Sequence, residues 1–200
     1  MMKTLIIPND NEQSMAAAES MARLFCAAGD EVTTAPFRVS GADGETPPEA
    51  QFESADLCVV IGGDGAVLHS GKLAALYGVP VLALNTGRVG FLTSPQAPEK
   101  ISASELLKSS RRETRRLLDV EIVDADGNVR FSAPALNEAV ISRGEISRII
   151  DIELSVDGCG IYTVRGDGVV IATPTGSTSC CRTTPRSPPA FSGSATASRF

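Results

Sequence analysis

Two hundred residues, 42% apolar and 21% charged, amount to one large or two small globular domains and exclude disorder of the whole chain. A formal charge of −6 argues against a nucleic-acid surface, which needs clustered excess Lys and Arg to displace counterions. No apolar run approaches the roughly 20 residues that span a bilayer, so the sequence reads as a cytoplasmic protein with small-molecule partners, no nucleic acid and no membrane.

Lys3 to Ile7 is a short apolar run closed by Pro8-Asn9-Asp10-Asn11. Met15, Ala18, Ala22, Phe25 and Ala28 then recur at helical spacing before Gly29. Glu31 to Ala35 has strand composition, and Ser40 to Ala50, rich in Gly, Pro and acid, reads as an exposed loop. Asp56 to Ile61 is a continuous apolar strand stopped by Gly62-Gly63-Asp64-Gly65, after which Val67, Leu68, Leu73 and Leu76 mark a helix ending at Gly78. Val79 to Leu84 is another apolar strand, and Ile101 to Leu107 is an amphipathic helix. Strands apolar on both faces that alternate with helices imply a parallel sheet covered on both sides. Residues 1–112 are therefore expected to form an α/β, Rossmann-like domain.

Beyond Arg111 the helical periods stop. Residues 113–179 read as a β-rich domain of β-sandwich type, incomplete as written, with turn pairs at Asp126-Gly127, Asp157-Gly158 and Asp167-Gly168. Arg111, Arg112, Arg115 and Arg116 read as a solvated connector. From Cys181 to Phe200 there is no Asp, Glu, Leu, Ile or Val, so this stretch has little with which to fill a core. Apart from Phe191 and Phe200, every residue from Cys180 onward takes C or G at the middle of its codon. Residues 180–200 therefore read as a disordered or frameshifted tail. The five cysteines form no C-x-x-C pair, and Cys26 and Cys58, lying within apolar patterns, are expected to be buried structural thiols.

Chemistry concentrates in three places. Gly62, Gly63 and Gly65 around Asp64, between a buried strand and a helix, suit an anion: glycines let backbone N–H groups approach phosphate oxygens, and the helix presents its positive end. An acid inside such a loop suits proton abstraction from an attacking hydroxyl or a place beside Mg2+ between phosphates. A tight turn with Asp64 capping the helix fits the same tetrapeptide and stays open here. His69 lies five residues on and either faces the loop or sits idle on the helix surface. Asn137-Glu138 sets an amide and a carboxylate inside an apolar stretch, fit for an adenine edge and ribose hydroxyls, or for a bulge or strand end facing water. Arg165-Gly166-Asp167-Gly168 leads into the hydroxyl-rich loop Thr173-Pro174-Thr175-Gly176-Ser177-Thr178-Ser179, either a donor set for phosphate or adenine or a plain turn.

With Asn85-Thr86-Gly87-Arg88-Val89-Gly90-Phe91-Leu92-Thr93, these blocks in this order resemble the NAD kinase family, which transfers phosphate from ATP to the 2'-hydroxyl of NAD. GGDG alone is shared with lipid kinases and phosphofructokinase relatives. The resemblance implies two domains with the substrate between them and Asp64 as general base. It places Gly65 and His69 at substrate contacts and Phe91 lining the adenosine pocket. Asn137 would read adenine and Glu138 bind ribose, with Arg165 and Asp167 toward the nicotinamide half. Thr173, Thr175, Gly176, Ser177, Thr178 and Ser179 belong to the same nucleotide site. It further implies ATP as donor, Mg2+ held through the ATP phosphates, and a homodimer or homotetramer. Ala66 departs from the Thr or Ser that often follows GGDG, and the family's continuation after Ser179 is missing or replaced. A non-catalytic nucleotide-binding remnant and a lipid kinase are the alternatives.

Overall fold

A computed structural model describes residues 1–37, 49–87, 90–94, 102–144, 149–177 and 195–198. The chain divides into two compact units, Met1–Glu113 and Thr114–Phe200.

The first unit is built on a four-stranded parallel sheet in the order β2-β1-β3-β4, with β1 at Lys3–Pro8, β2 at Glu31–Thr34, β3 at Leu57–Ile61 and β4 at Val81–Leu84. Central strands of such a sheet meet helices on both faces, which is why all five residues of β3 are buried. Ile6, Leu57, Val59 and Ile61 pack on one face against Ala18, Met21 and Phe25 of helix α1 (Glu12–Ala27) and Ala103 of helix α4 (Ala103–Ser109). Leu5, Ile7, Cys58 and Val60 pack on the other against Phe52 of α2 (Glu49–Glu53) and Ala66, Val67 and Ala74 of α3 (Asp64–Leu76).

Two expectations change. The predicted loop at 40–50 gives way at Glu49 to α2, which carries the fully buried Phe52; residues 38–48 lie outside the described set. A five-residue helix offers too little periodicity to read, and burial of one phenylalanine fixes it. Cys26 is exposed although its neighbour Phe25 is buried, because it falls on the solvent side of α1. Cys58 is buried, and burial pushes its thiol up to about 12.

The second unit is strand-rich. β5 (Leu118–Val123) and β6 (Val129–Ala135) form an antiparallel ribbon. β7 (Glu138–Ser142) pairs antiparallel with β10 (Gly168–Ala172). β8 (Ile150–Val156) and β9 (Cys159–Gly166) form a hairpin through Asp157 and Gly158, both at positive φ (51° and 77°), as a two-residue hairpin turn requires. Asp167-Gly168 is not a hairpin turn: it is a bend at which the chain leaves the β8–β9 sheet and enters the β7–β10 sheet. Residues 195–198, expected to belong to a disordered or frameshifted tail, form β11 (Ala195–Ser198), antiparallel to β8.

Helix α4 begins with a reciprocal cap. The Ser102 amide and hydroxyl donate to the Glu105 carboxylate at 3.1 and 3.0 Å, and Ser102 Oγ accepts the Glu105 N–H at 3.2 Å. The backbone bond first, then the hydroxyl, holds the Glu105 carboxyl below its ordinary value of 4.5. A carboxyl lowered in the folded state stabilises the fold above 4.5 and loses that contribution as pH falls through the folded value. Ser102→Ala is therefore expected to move the Glu105 titration midpoint upward, part of the way to 4.5, in carboxyl NMR; an unmoved midpoint contradicts the cap.

Candidate nucleotide site

The glycine-rich turn grows directly from the buried strand. Beyond Ile61 the parallel ladder runs one step further, with the Gly62 N–H donating to the Leu84 carbonyl at 2.8 Å and the Asn9 N–H to the Ile61 carbonyl at 2.8 Å. Gly62 is thereby buried beside Asn9, while Gly63, extended at φ −84° and ψ 178°, is the N-cap of α3 with no side-chain cap. Gly65 is exposed at the helix start, and Ala66 is buried in the core beneath it, 3% exposed.

Asp64 does not cap its own helix. Its carboxylate reaches across to the next strand's loop, where Oδ2 accepts the Phe91 N–H at 3.0 Å and Oδ1 the Leu92 N–H at 3.1 Å. The approach is close: a Cβ added at Gly90 would stand 2.6 Å from Asp64 Cγ, so a side chain there would displace the Asp64 carboxylate. Each carboxylate oxygen keeps acceptor capacity beyond these bonds. The Phe91 ring is 76% exposed on the same loop. His69 is exposed on α3 and lies against the Phe37 ring, with centroids 5.5 Å apart.

A second cluster lies wholly within the strand-rich unit. The Thr173 N–H donates to the Asn137 carbonyl at 2.7 Å and the Thr173 hydroxyl to the Leu136 carbonyl at 2.6 Å. The Gly176 N–H then donates to Thr173 Oγ1 at 3.1 Å, and the Ser177 hydroxyl to the Pro174 carbonyl at 2.9 Å. These bonds fold the Thr173–Ser177 loop onto Asn137. Gly176 packs so tightly that a Cβ would fall 2.7 Å from the Asn137 Cα. Against this support, Asn137 Oδ1 and Glu138 Oε2 are buried with no hydrogen-bond partner among the described residues. An orphaned buried acceptor costs about 1–3 kcal/mol.

The remaining predicted residues are not gathered there. Arg165 on β9 pairs with Asp151 at 3.5 Å, and Asp167 with Arg143 at 3.2 Å, all four substantially exposed. Thr178 and Ser179 lie outside the described residues. Sequence reasoning missed Arg115: taken as solvated connector, it donates through Nη1 to Thr175 Oγ1 at 3.2 Å. Only its place in an Arg-rich run was legible. Among the described residues no three His, Cys, Asp or Glu side chains converge as a metal site, and no helix is long and apolar enough to cross a membrane.

Fold and site together define an α/β domain whose glycine-rich strand-to-helix turn carries one carboxylate, followed by a strand-rich unit. The family model for the ATP-NAD kinase N-terminal domain matches residues 5–111, and that for the ATP-NAD kinase C-terminal domain matches 136–181. The chain belongs to the NAD kinase family. NAD kinase of Aromatoleum aromaticum is 44% identical over 126 residues, covering 62% of this chain and 42% of that protein. NAD kinase of Symbiobacterium thermophilum is 35% identical over 179 residues, covering 87% of this chain and 63% of that protein. The chain thus spans less than two thirds of the length of these relatives. Among solved structures, an Archaeoglobus fulgidus NAD kinase in complex with ATP superposes with a TM-score of 0.59 at 27% identity, covering 88% of this chain and 63% of that one. Yeast NADH kinase complexed with NADH superposes with a TM-score of 0.65 at 24% identity, covering 90% and 56%, a likeness of fold.

Gly176→Ala forces a methyl group against the Asn137 backbone and is expected to destabilise the protein by about 1–3 kcal/mol, the usual range for overpacking. Urea unfolding measures this, and an unchanged midpoint contradicts the close approach.

Proposed function

We propose that this chain is an NAD kinase homologue that transfers the terminal phosphoryl group of ATP to the adenosine 2'-hydroxyl of NAD, forming NADP and ADP. The observation that carries the proposal is the Asp64 carboxylate at the head of α3, fixed by two backbone amides and free of any capping duty. Family membership supports the substrates, since the matching family model is that of an ATP-NAD kinase and the Archaeoglobus relative is described with ATP.

In this reading Asp64 accepts the 2'-hydroxyl proton on a carboxylate oxygen as the hydroxyl oxygen bonds to the γ-phosphorus. The bond from that phosphorus to the β–γ bridging oxygen breaks, and ADP leaves with the electron pair. Such a reaction asks mainly for positioning and for stabilisation of spread negative charge. The first-turn N–H groups of a 13-residue helix without a side-chain cap suit the second task. Gly63 and Gly65 keep that helix end open to phosphate oxygens, with Gly62 packed against Asn9 beneath the same turn. Phe91 offers an exposed ring to a base, and the buried oxygens of Asn137 and Glu138 offer acceptors to an adenine amino group and ribose hydroxyls. The Thr173–Ser177 loop backs that pair, and Thr178 and Ser179 are assigned to the same nucleotide site on family grounds. His69 is assigned to the substrate contact near the turn, and Arg165 and Asp167 to the nicotinamide half. Mg2+ enters with ATP as part of the substrate, neutralising phosphate charge. A cytoplasmic homodimer or homotetramer accompanies this reading on family grounds.

We extend the same proposal to the C-terminal tail, taken as frameshifted after Ser179. The C-terminal family match stops at residue 181, next to the point where the composition changes, and resequencing through codon 180 tests it. That change favours a second reading, a nucleotide binder without turnover. Calorimetric NAD binding with no NADP formed would select it.

Asp64→Asn keeps the shape and loses the base. It is expected to cut NADP formation about 100- to 10,000-fold, the usual worth of general-base catalysis, while calorimetric NAD affinity stays within a few-fold. Normal turnover in the variant removes the assignment.

A further inference from the structure

The carboxylate of Asp64 is held by a loop, and the loop has a fastener of its own. Residues 85–87 leave β4 and residues 90–94 come back to it: the Asn85 N–H donates to the Ser94 carbonyl at 3.0 Å, and the Ser94 N–H to the Ala83 carbonyl at 2.9 Å. Inside this closed base sits Thr93, 8% exposed. Its hydroxyl oxygen accepts the Gly90 N–H at 3.0 Å and the Asn85 side-chain amide at 3.2 Å. The same Asn85 accepts the Gly87 N–H through Oδ1 at 2.8 Å, tying down the loop's outgoing limb. Both limbs therefore meet at one oxygen atom. Between Gly90 and Thr93 lie Phe91 and Leu92, whose amides hold Asp64.

We propose that Thr93 is a positioning residue for Asp64, its hydroxyl oxygen fixing the loop that delivers the Phe91 and Leu92 amides to the carboxylate and presents the Phe91 ring. The catalytic part of this proposal rests on Asp64 acting as the base. The geometry leaves little slack. Gly90 packs so closely on the Asp64 carboxylate that a side chain there would displace it, so a small shift of Gly90 moves the amides that follow it. Valine has the shape of threonine without an acceptor; at position 93 it leaves the Gly90 N–H and the Asn85 amide without this partner. Serine restores the acceptor and removes only a methyl group.

The experiment uses the full chain as wild type, Thr93→Val and Thr93→Ser. Hydrogen exchange at the Phe91 and Leu92 amides is read by NMR, beside steady-state NADP formation and thermal unfolding. With two hydrogen bonds to the hydroxyl oxygen lost, Thr93→Val is expected to speed exchange at both amides roughly tenfold, and Thr93→Ser to stay near wild type. Misplacement of the base is expected to lower kcat of Thr93→Val by about 10- to 100-fold, with KM for NAD and for ATP within a few-fold and with recovery in Thr93→Ser. Unchanged exchange in Thr93→Val overturns the proposal. Faster exchange with unchanged kcat, or with a lowered melting temperature as the sole other effect, also overturns it, because a merely structural threonine behaves that way. If the wild-type chain forms no NADP, the kinase reading falls, and exchange alone then decides whether Thr93 holds Asp64 in place.

Discussion

Two backbone amides holding one carboxylate across a strand-to-helix turn are the contact on which the chemistry proposed for the first unit depends. Charge-assisted hydrogen bonds from N–H groups are stronger than neutral ones, and they aim Asp64 away from its own helix. This arrangement needs β3 and β4 to be neighbours in a parallel sheet, so that the turn after one and the loop after the other emerge at the same edge. Ligands of open α/β sheets characteristically bind beyond the carboxyl ends of the strands. The burial of Leu57 to Ile61 thus does more than fill a core: it fixes where Gly62 ends the strand, and so where the acid stands.

The strand-rich unit solves a different problem. An apolar stretch interrupted by Asn137 and Glu138 carries two buried oxygens without a hydrogen-bond partner among the described residues. Burial of such groups is unfavourable unless something completes them. The surrounding bonds are spent on backbone: Thr173 engages the carbonyls of Leu136 and Asn137, and Gly176 closes against the Asn137 main chain. The main chain is fastened while the two side-chain oxygens are left over, and the proposed adenosine contact rests on them.

Much of this was legible in the residues. Continuous apolar runs gave the parallel strands because both faces are covered, and the alternation of Gly with one acid marked the turn. The Asn137-Glu138 pair stood out because polar side chains in an apolar run need a reason. What stayed hidden depends on tertiary contact. Phe52 specifies a helix too short for periodicity, and Cys26 lies on the wrong side of α1 by one residue. Asp167-Gly168 has the composition of a hairpin turn yet marks a change of sheet. Thr93 and Arg115 carry no local signal, since each matters through a partner that sequence spacing does not reveal: the Asn85 amide for one and the Thr175 hydroxyl for the other.

The central claim is that Asp64 faces a sugar hydroxyl rather than shaping a bend. The most direct measurement is a crystal structure of the chain soaked with NAD. The expected result is an adenosine ribose hydroxyl within hydrogen-bond distance of the Asp64 carboxylate. A dinucleotide bound away from the Gly62–Gly65 turn contradicts the claim.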